Sequence, residues 1–354
     1  MHQVKVVGYL NPATCTVLHP PPCGEGEGGG GRTIRLPMIL FLIRRFLGFA
    51  VTLFIAAAVI FFLLDLLPGD PARFILGINA SAEAVANLRT QLGLDAPPLT
   101  RFFAWVGGML TGDFGTSVTQ RAPVAALIGE RLWVSLPLAL MAMVLSVAIG
   151  LPLGIAAARR RGSLIDTGLM VLAQLGIAIP NFWFGMLLAL LFAVVLRWLP
   201  PGGFTPWQEN PLAAFTSLVL PSLALALPQA AILARVMRTA LVEVTGQDFI
   251  RTARAKGMTM GEAVWRHGVR NALLPVVTIL GLQFAFLVAG VIIVENVFYL
   301  PGLGRLIFTA ISERDLVLVR GITIVLVIGV TFTMLVTDLV YALVDPRLRE
   351  GGQR

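Results

Sequence analysis

The run DFIRTARAKG, residues 248–257, sets Asp248 ahead of Arg251, Arg254 and Lys256, while Phe249, Ile250, Ala253 and Gly257 recur at helical spacing. Basic faces beside a less polar edge suit the docking of another surface, not catalysis. The whole segment 241–275, LVEVTGQDFIRTARAKGMTMGEAVWRHGVRNALLP, lies between two apolar runs long enough to cross a bilayer. Thr245, with Asp248 three residues on, is placed to cap a first helix whose positive end the acid favours. Gly257 suits a helix stop in the left-handed conformation. Thr259 and Glu262 then spell a capping box for a second helix running to about Asn271, and Pro275 suits the first turn of the following span. The plainer alternative for this helix–turn–helix is a solvated basic loop lying on anionic headgroups.

Other chemistries find little support. A phosphate-binding loop needs GxxxxGK[ST], and neither lysine, Lys5 or Lys256, follows a glycine in that frame. Cys15 and Cys23 lie in the N-terminal tail without a CxxC pattern, and His2, His19 and His267 have no ligand spacing. Neither a metal site nor a cofactor is expected.

The elements that position the basic segment are membrane spans. The chain of 354 residues is 57% hydrophobic and 13% charged, against about 45–50% and about 25% in soluble domains. Its net charge of +8 gathers at the ends of apolar runs, which points to anionic lipid rather than nucleic acid. Six stretches reach the roughly 20 apolar residues a spanning helix needs: 44–67, 133–158, 168–196, 214–240, 274–298 and 320–343. Residues 1–37, with HPPPCGEGEGGGG, read as a disordered tail or a misplaced start, and MILFLIRR from Met38 makes a basic-flanked opening. Residues 38–67 then hold the first span, 68–132 a polar outer region and 133–354 the remaining core. Within 68–132, segments 81–93 and 98–110 have amphipathic helical patterns. With the N-terminus inside, eighteen Lys and Arg fall on the cytoplasmic side and nine opposite, which places both termini and the 241–273 loop in the cytoplasm.

Polar residues at membrane depth are candidates for a hydrated route. Gln174, Asn181, Gln229 and Gln283 are these residues, with Pro180 and Pro228 beside two of them; hydrogen bonding between helices is the alternative. Gly281, Ala285, Ala289 and Gly290 offer a small-residue face for a second subunit or a neighbouring helix. Asp65, Glu295 and Asp338 read as interfacial, paired or solvated. Leu303, Leu306, Ile307, Ala310 and Ile311 share one face of a short helix on the outer side.

The wording of the basic loop resembles that of binding-protein-dependent ABC importer permeases, within them the dipeptide/oligopeptide/nickel branch. LLPGDPA (66–72), LGLDAP (92–97), GDFGTS (112–117), ALPQAAILAR (226–235), VFYLPGLGRL (297–306) and DLVYALVDPRLR (338–349) extend the likeness over nearly everything after Met38. Ala253 and Gly257 match the family's coupling motif; Arg251 and Thr252 replace its Glu and Ala, so no docking contact of that acid carries over. The resemblance implies an all-α, six-span type I importer permease of the bacterial inner (plasma) membrane, with a cytoplasmic coupling helix and no enzymatic activity of its own. Its implied partners are a related permease in a heterodimer, two ABC ATPase subunits and a periplasmic or extracellular binding protein. Peptides, glutathione, opine-like compounds or chelated nickel are the cargo classes implied. A secondary transporter or channel is the alternative, and it would be expected to show internal repeats.

Removing residues 1–37 is expected to leave membrane insertion intact, since Arg44 and Arg45 still flank the first span. Membrane fractionation of the truncated chain measures this, and loss of inserted protein would refute it.

Overall fold

The computed structural model describes residues 35–66, 71–76, 80–91 and 93–344. Residues 1–34 of the proposed tail and the part of the terminal motif beyond residue 344 lie outside these, while Arg35, Leu36 and Pro37 open the first helix. The described residues form helices, with one isolated bridge between Thr116 and Pro123. The first span is α1 (Arg35–Asp65). Three outer helices follow, α2 (Pro71–Leu76), α3 (Ala82–Gln91) and α4 (Pro98–Leu110), the last two close to their expected limits. The second span, α5 (Val124–Arg159), starts well before residue 133, because its first turns pack against the outer end of the bundle rather than crossing lipid.

The third span departs from expectation. In place of one straight helix over 168–196 stand α6 (Leu164–Ala178) and α7 (Asn181–Leu188), the latter continuing as a π-helix over Ala189–Val195, bent by 103°. Pro180 causes the break. It disfavours helical backbone at the residue before it, and Ile179 is extended, with ψ 125.

The fourth span, α8 (Pro211–Thr245), is the axis of the subunit and is buried along most of its length. It runs parallel to α5 at very short range. A Cβ added to Gly150 would lie 2.6 Å from the Ala230 carbonyl oxygen, and one at Gly154 only 2.5 Å from that of Ala234. Two glycines four residues apart thus meet two alanines four residues apart, in register. Lipid supplies no hydrophobic drive between helices, so such backbone approach has to supply the attraction.

Beyond α8 come α9 (Asp248–Ala255), the single turn α10 (Met260–Ala263), a π-turn over Val264–Gly268, and the fifth span, α11 (Val269–Val297). Helix is unbroken from Met260 to Val297, so Pro275 lies inside this helix and not at the start of a new one. Last come α12 (Leu303–Ser312) and the sixth span, α13 (Leu316–Val344).

Buried carboxylates pin the end of the bundle that carries α12. Glu295 is fully buried rather than interfacial. It accepts from Ser135 Oγ at 2.5 Å, from the Gly304 amide at 2.7 Å and from the Arg305 amide at 3.3 Å, while Ser135 Oγ accepts from the Leu303 amide at 2.8 Å. The orphan donors at the start of α12 are therefore satisfied by a side chain of α11. Gly302 and Gly304 admit this contact because added Cβ atoms would strike the Glu295 carboxylate and the Ile292 backbone. Leu303, Leu306 and Ala310 consequently face the bundle core and not the headgroups. Asp315 likewise accepts from Ser117 Oγ at 2.6 Å and from the Thr119 amide at 3.1 Å, tying the GDFGTS loop to the start of α13. Asp65 pairs with Arg101 at 2.9 Å and Asp338 with Arg45 at 2.6 Å, as the sequence suggested.

Gly150→Ala is expected to lower the melting midpoint of the purified protein by several degrees, at about 1–3 kcal/mol for overpacking against backbone. Gly168→Ala, where nothing lies within 4 Å, is the control and should change stability by no more than about 0.5 kcal/mol. Equal effects at the two sites would refute the close-approach account. Glu295→Ala leaves buried amide donors unsatisfied, at about 1–3 kcal/mol. Hydrogen exchange should accelerate across 303–306 while the exposed control Glu313→Ala leaves it unchanged.

Candidate functional site

The basic segment folds into a compact knuckle at the end of the bundle opposite α12. Its first predicted feature fails: Thr245 is the last residue of α8, and its hydroxyl donates back to the Val242 carbonyl at 2.7 Å. The residue preceding α9 is Gln247, whose side chain makes no capping bond. Asp248 remains in the first turn, where its charge suits the helix's positive end. Its 3.2 Å pairing with Arg251 is fully solvated and adds little.

The stop at Gly257 forms as expected. Its φ is +92°, its amide donates to the Arg254 carbonyl at 3.0 Å, and the Met258 amide reaches back to the Ala253 carbonyl at 3.3 Å. This is the Schellman pattern, which needs a left-handed residue here. The capping box follows, with Thr259 Oγ accepting from the Glu262 amide and Glu262 Oε2 accepting from the Thr259 amide.

The less polar edge divides in two. Ile250 and Ala253 are buried against Ala263, with Met258 beside them, so they form the knuckle's internal core and hold α9 to α10. Phe249 is 38% exposed, and Arg251, Arg254 and Lys256 are exposed around it. The outward surface is thus one aromatic ring among three cations. At its root, Arg238 of α8 donates to Asp166 of α6 at 2.5 and 2.7 Å, and Asp166 also accepts from the Gly162 amide at 2.9 Å. This buried bidentate pair fixes the α5–α6 turn to α8 just above the knuckle. Sequence reading passed over it because its members lie 72 residues apart.

The four midplane candidates do not converge. Gln283 Nε2 donates to the Gln229 backbone carbonyl at 3.0 Å, and both residues are buried between α8 and α11, so this pair joins helices within the subunit. Their side-chain Oε1 atoms have no protein partner among the described residues. Asn181 sits half-exposed at the elbow, where a Cβ on Gly290 would come within 3.3 Å of its Nδ2. Gln174 is exposed on α6 and accepts from Arg235 Nη1 of α8 at 3.5 Å. Of the small-residue face on α11, Gly281 packs against Thr337 of α13, within the chain, while Ala289 is exposed.

Comparison with known proteins agrees with this architecture. The family described as "Binding-protein-dependent transport system inner membrane component" matches residues 150–350, and its N-terminal counterpart matches residues 38–139. A protein of Brucella abortus (strain 2308) named for a peptide transport system permease is 40% identical over 314 residues, which cover 88% of this chain and 99% of the relative. The glutathione transport system permease protein GsiC of Salmonella choleraesuis (strain SC-B67) is 42% identical over 312 residues, covering 88% and 99%. Among solved structures, a chain of the inward-facing MetNI methionine ABC transporter matches with a TM-score of 0.52 at 19% identity, covering 62% of this chain and 96% of that one, a likeness of fold. The chain belongs to the binding-protein-dependent transport system inner membrane component family, as an all-α, multi-pass permease subunit of an ABC importer.

Proposed function

We propose that this permease forms half of the pathway of an importer for peptides or a related small solute such as glutathione, with α9 as the element through which separate ATPase subunits drive it. The observation that carries the reading is the knuckle itself. A rigid helix pair with its own core presents Phe249, Arg254 and Lys256 to the cytoplasm and is joined without a break to the fifth span. A headgroup anchor would not need the internal core, the Schellman stop and the capping box that fix its shape.

In this reading the N- and C-termini are cytoplasmic, a second, related permease completes the pathway, and a binding protein delivers cargo to the face that carries α12. Closure of two ATPase subunits on ATP presses on α9 of each permease. The chain supplies packing, charge and a route, and the partners supply hydrolysis. The cargo class rests on the relatives named for peptide and glutathione transport.

The test is graded at Gly257. Gly257→Ala forces a side chain into left-handed backbone, at about 1–2 kcal/mol. Gly257→Pro also removes the amide that closes the stop and forbids the required φ. Insertion should be equal in all three proteins, while ATPase pull-down and coupled uptake fall partly in the alanine variant and are lost in the proline one. A proline variant that binds the ATPase and couples like wild type would refute the role of α9.

A further inference from the structure

Packing covers the middle of α8 and leaves Arg235, Thr239 and Glu243 of its later half exposed. Between Ser217 and Ala234 the helix is buried except at Val219, Leu223, Leu227 and Ile232. Arg235, Thr239 and Glu243 follow one another at four-residue spacing; the same spacing runs back through buried Ala231 to half-buried Leu227, Leu223 and Val219, a file that turns about 40° round the helix at each step. The outer half of this file is aliphatic and half-buried. The inner half is Arg235, Thr239 and Glu243, all exposed.

Arg235 does not behave like an arginine escaping to the headgroups. Side chains on a helix lean toward its N-terminus, which for α8 is the outer end, away from the nearby cytoplasmic surface. Its guanidinium reaches Gln174, which lies ten residues into α6, about 15 Å along the axis at about 1.5 Å per residue. The contact is long, 3.5 Å, so it orients the guanidinium without neutralising it. No described carboxylate pairs with Arg235. Arg238, one turn further on, contrasts with it: that guanidinium is matched by Asp166 and is spent on the fold. An exposed, unneutralised cation held at this depth is costly against hydrocarbon and stable against water.

We infer that Arg235, Thr239 and Glu243 face the water of the pathway and that Arg235, positioned by Gln174, is a contact for the carboxylate of a passing solute. The inference rests on the importer reading above. A guanidinium offers paired donors that match a carboxylate's two oxygens, and peptides and glutathione carry such a group. The aliphatic outer half of the file offers nothing to hold the carboxylate, so the contact acts at the inner end of the route. Its single weak protein partner leaves most of its donors free for this purpose.

The experiment uses the assembled transporter in inside-out vesicles, with Cys15 and Cys23 replaced by serine and Thr239→Cys introduced beside intact Arg235. A membrane-impermeant sulfonate thiol reagent should label the new cysteine, whereas Leu172→Cys, on the exposed apolar face of α6, should react only with a lipid-soluble maleimide. Tri-alanine should slow labelling of Thr239→Cys, and its C-terminal amide should not. Adding Arg235→Gln should weaken that protection about tenfold, the effect of losing one charge-assisted hydrogen-bonded pair, while Arg235→Lys keeps most of it. Absence of labelling overturns the water-facing placement. No protection by tri-alanine, equal protection by acid and amide, or protection unchanged in Arg235→Gln overturns the carboxylate contact. Failure of the wild-type transporter to take up tri-alanine would instead count against the peptide reading, while labelling still decides the water-facing placement.

Discussion

The contact between Gly150 and Gly154 of α5 and Ala230 and Ala234 of α8 is the constraint on which the other helices depend. Carbonyl oxygens of α8 lie 2.5–2.6 Å from where β-carbons on these glycines would be, so no larger residue fits without moving the backbones apart. In a bilayer this closeness has to come from small residues, because lipid tails solvate larger apolar side chains as well as a neighbouring helix does. Once α5 covers one side of α8, α6, α7 and α11 cover others, and α8 becomes the buried axis.

Each end of the bundle is then held by different chemistry. The end that carries α12 is closed by carboxylates that collect backbone amides and hydroxyls, Glu295 at the start of α12 and Asp315 at the start of α13. Carboxyl groups are tolerated in burial there because several donors converge on each. The opposite end relies on the Asp166–Arg238 pair for fixity and leaves the α9 cations unpaired or solvated. Rigid closure on one face and unspent charge on the other fit the proposal that α9 meets a driving partner.

The sequence made the spans, the two outer amphipathic helices, the Gly257 stop and the Thr259–Glu262 box legible, because each is written in local spacing. The elbow at Pro180 was also written locally, in the dipeptide Ile179–Pro180, but an apolar run is indifferent to whether its helix is straight. Thr245 misled because a capping residue has to lie outside the preceding helix, and α8 runs on through it. Long-range contacts left no local trace. Nothing near Glu295 predicts that its partners are Ser135 and the amides of Gly304 and Arg305. Gln229 and Gln283 advertised polarity at depth without revealing whether it faced water or each other. Arg235 was quoted within a family motif, yet its significance depends on which residues of α8 the other helices leave open.

The continuous helix from Met260 to Val297 gives these features a mechanical relation. At about 1.5 Å per residue its 38 residues extend roughly 57 Å, enough to carry the α10 turn at one end and the Glu295 clasp at the other. Its weak points are identifiable: the π-turn over Val264–Gly268 and Pro275, which cannot donate to the Asn271 carbonyl. Asn271 Nδ2 donates to the His267 carbonyl at 2.8 Å, a side-chain bond within that same weakened stretch. Both weak points lie in the half of the helix nearest the knuckle, before the Gln283 contact with α8. Packing ties that same stretch to α8, since Val264, Ala272 and Val276 share one buried cluster with Leu233, Met237, Leu241 and Val244, so displacement of the knuckle end of this helix has to carry α8 with it.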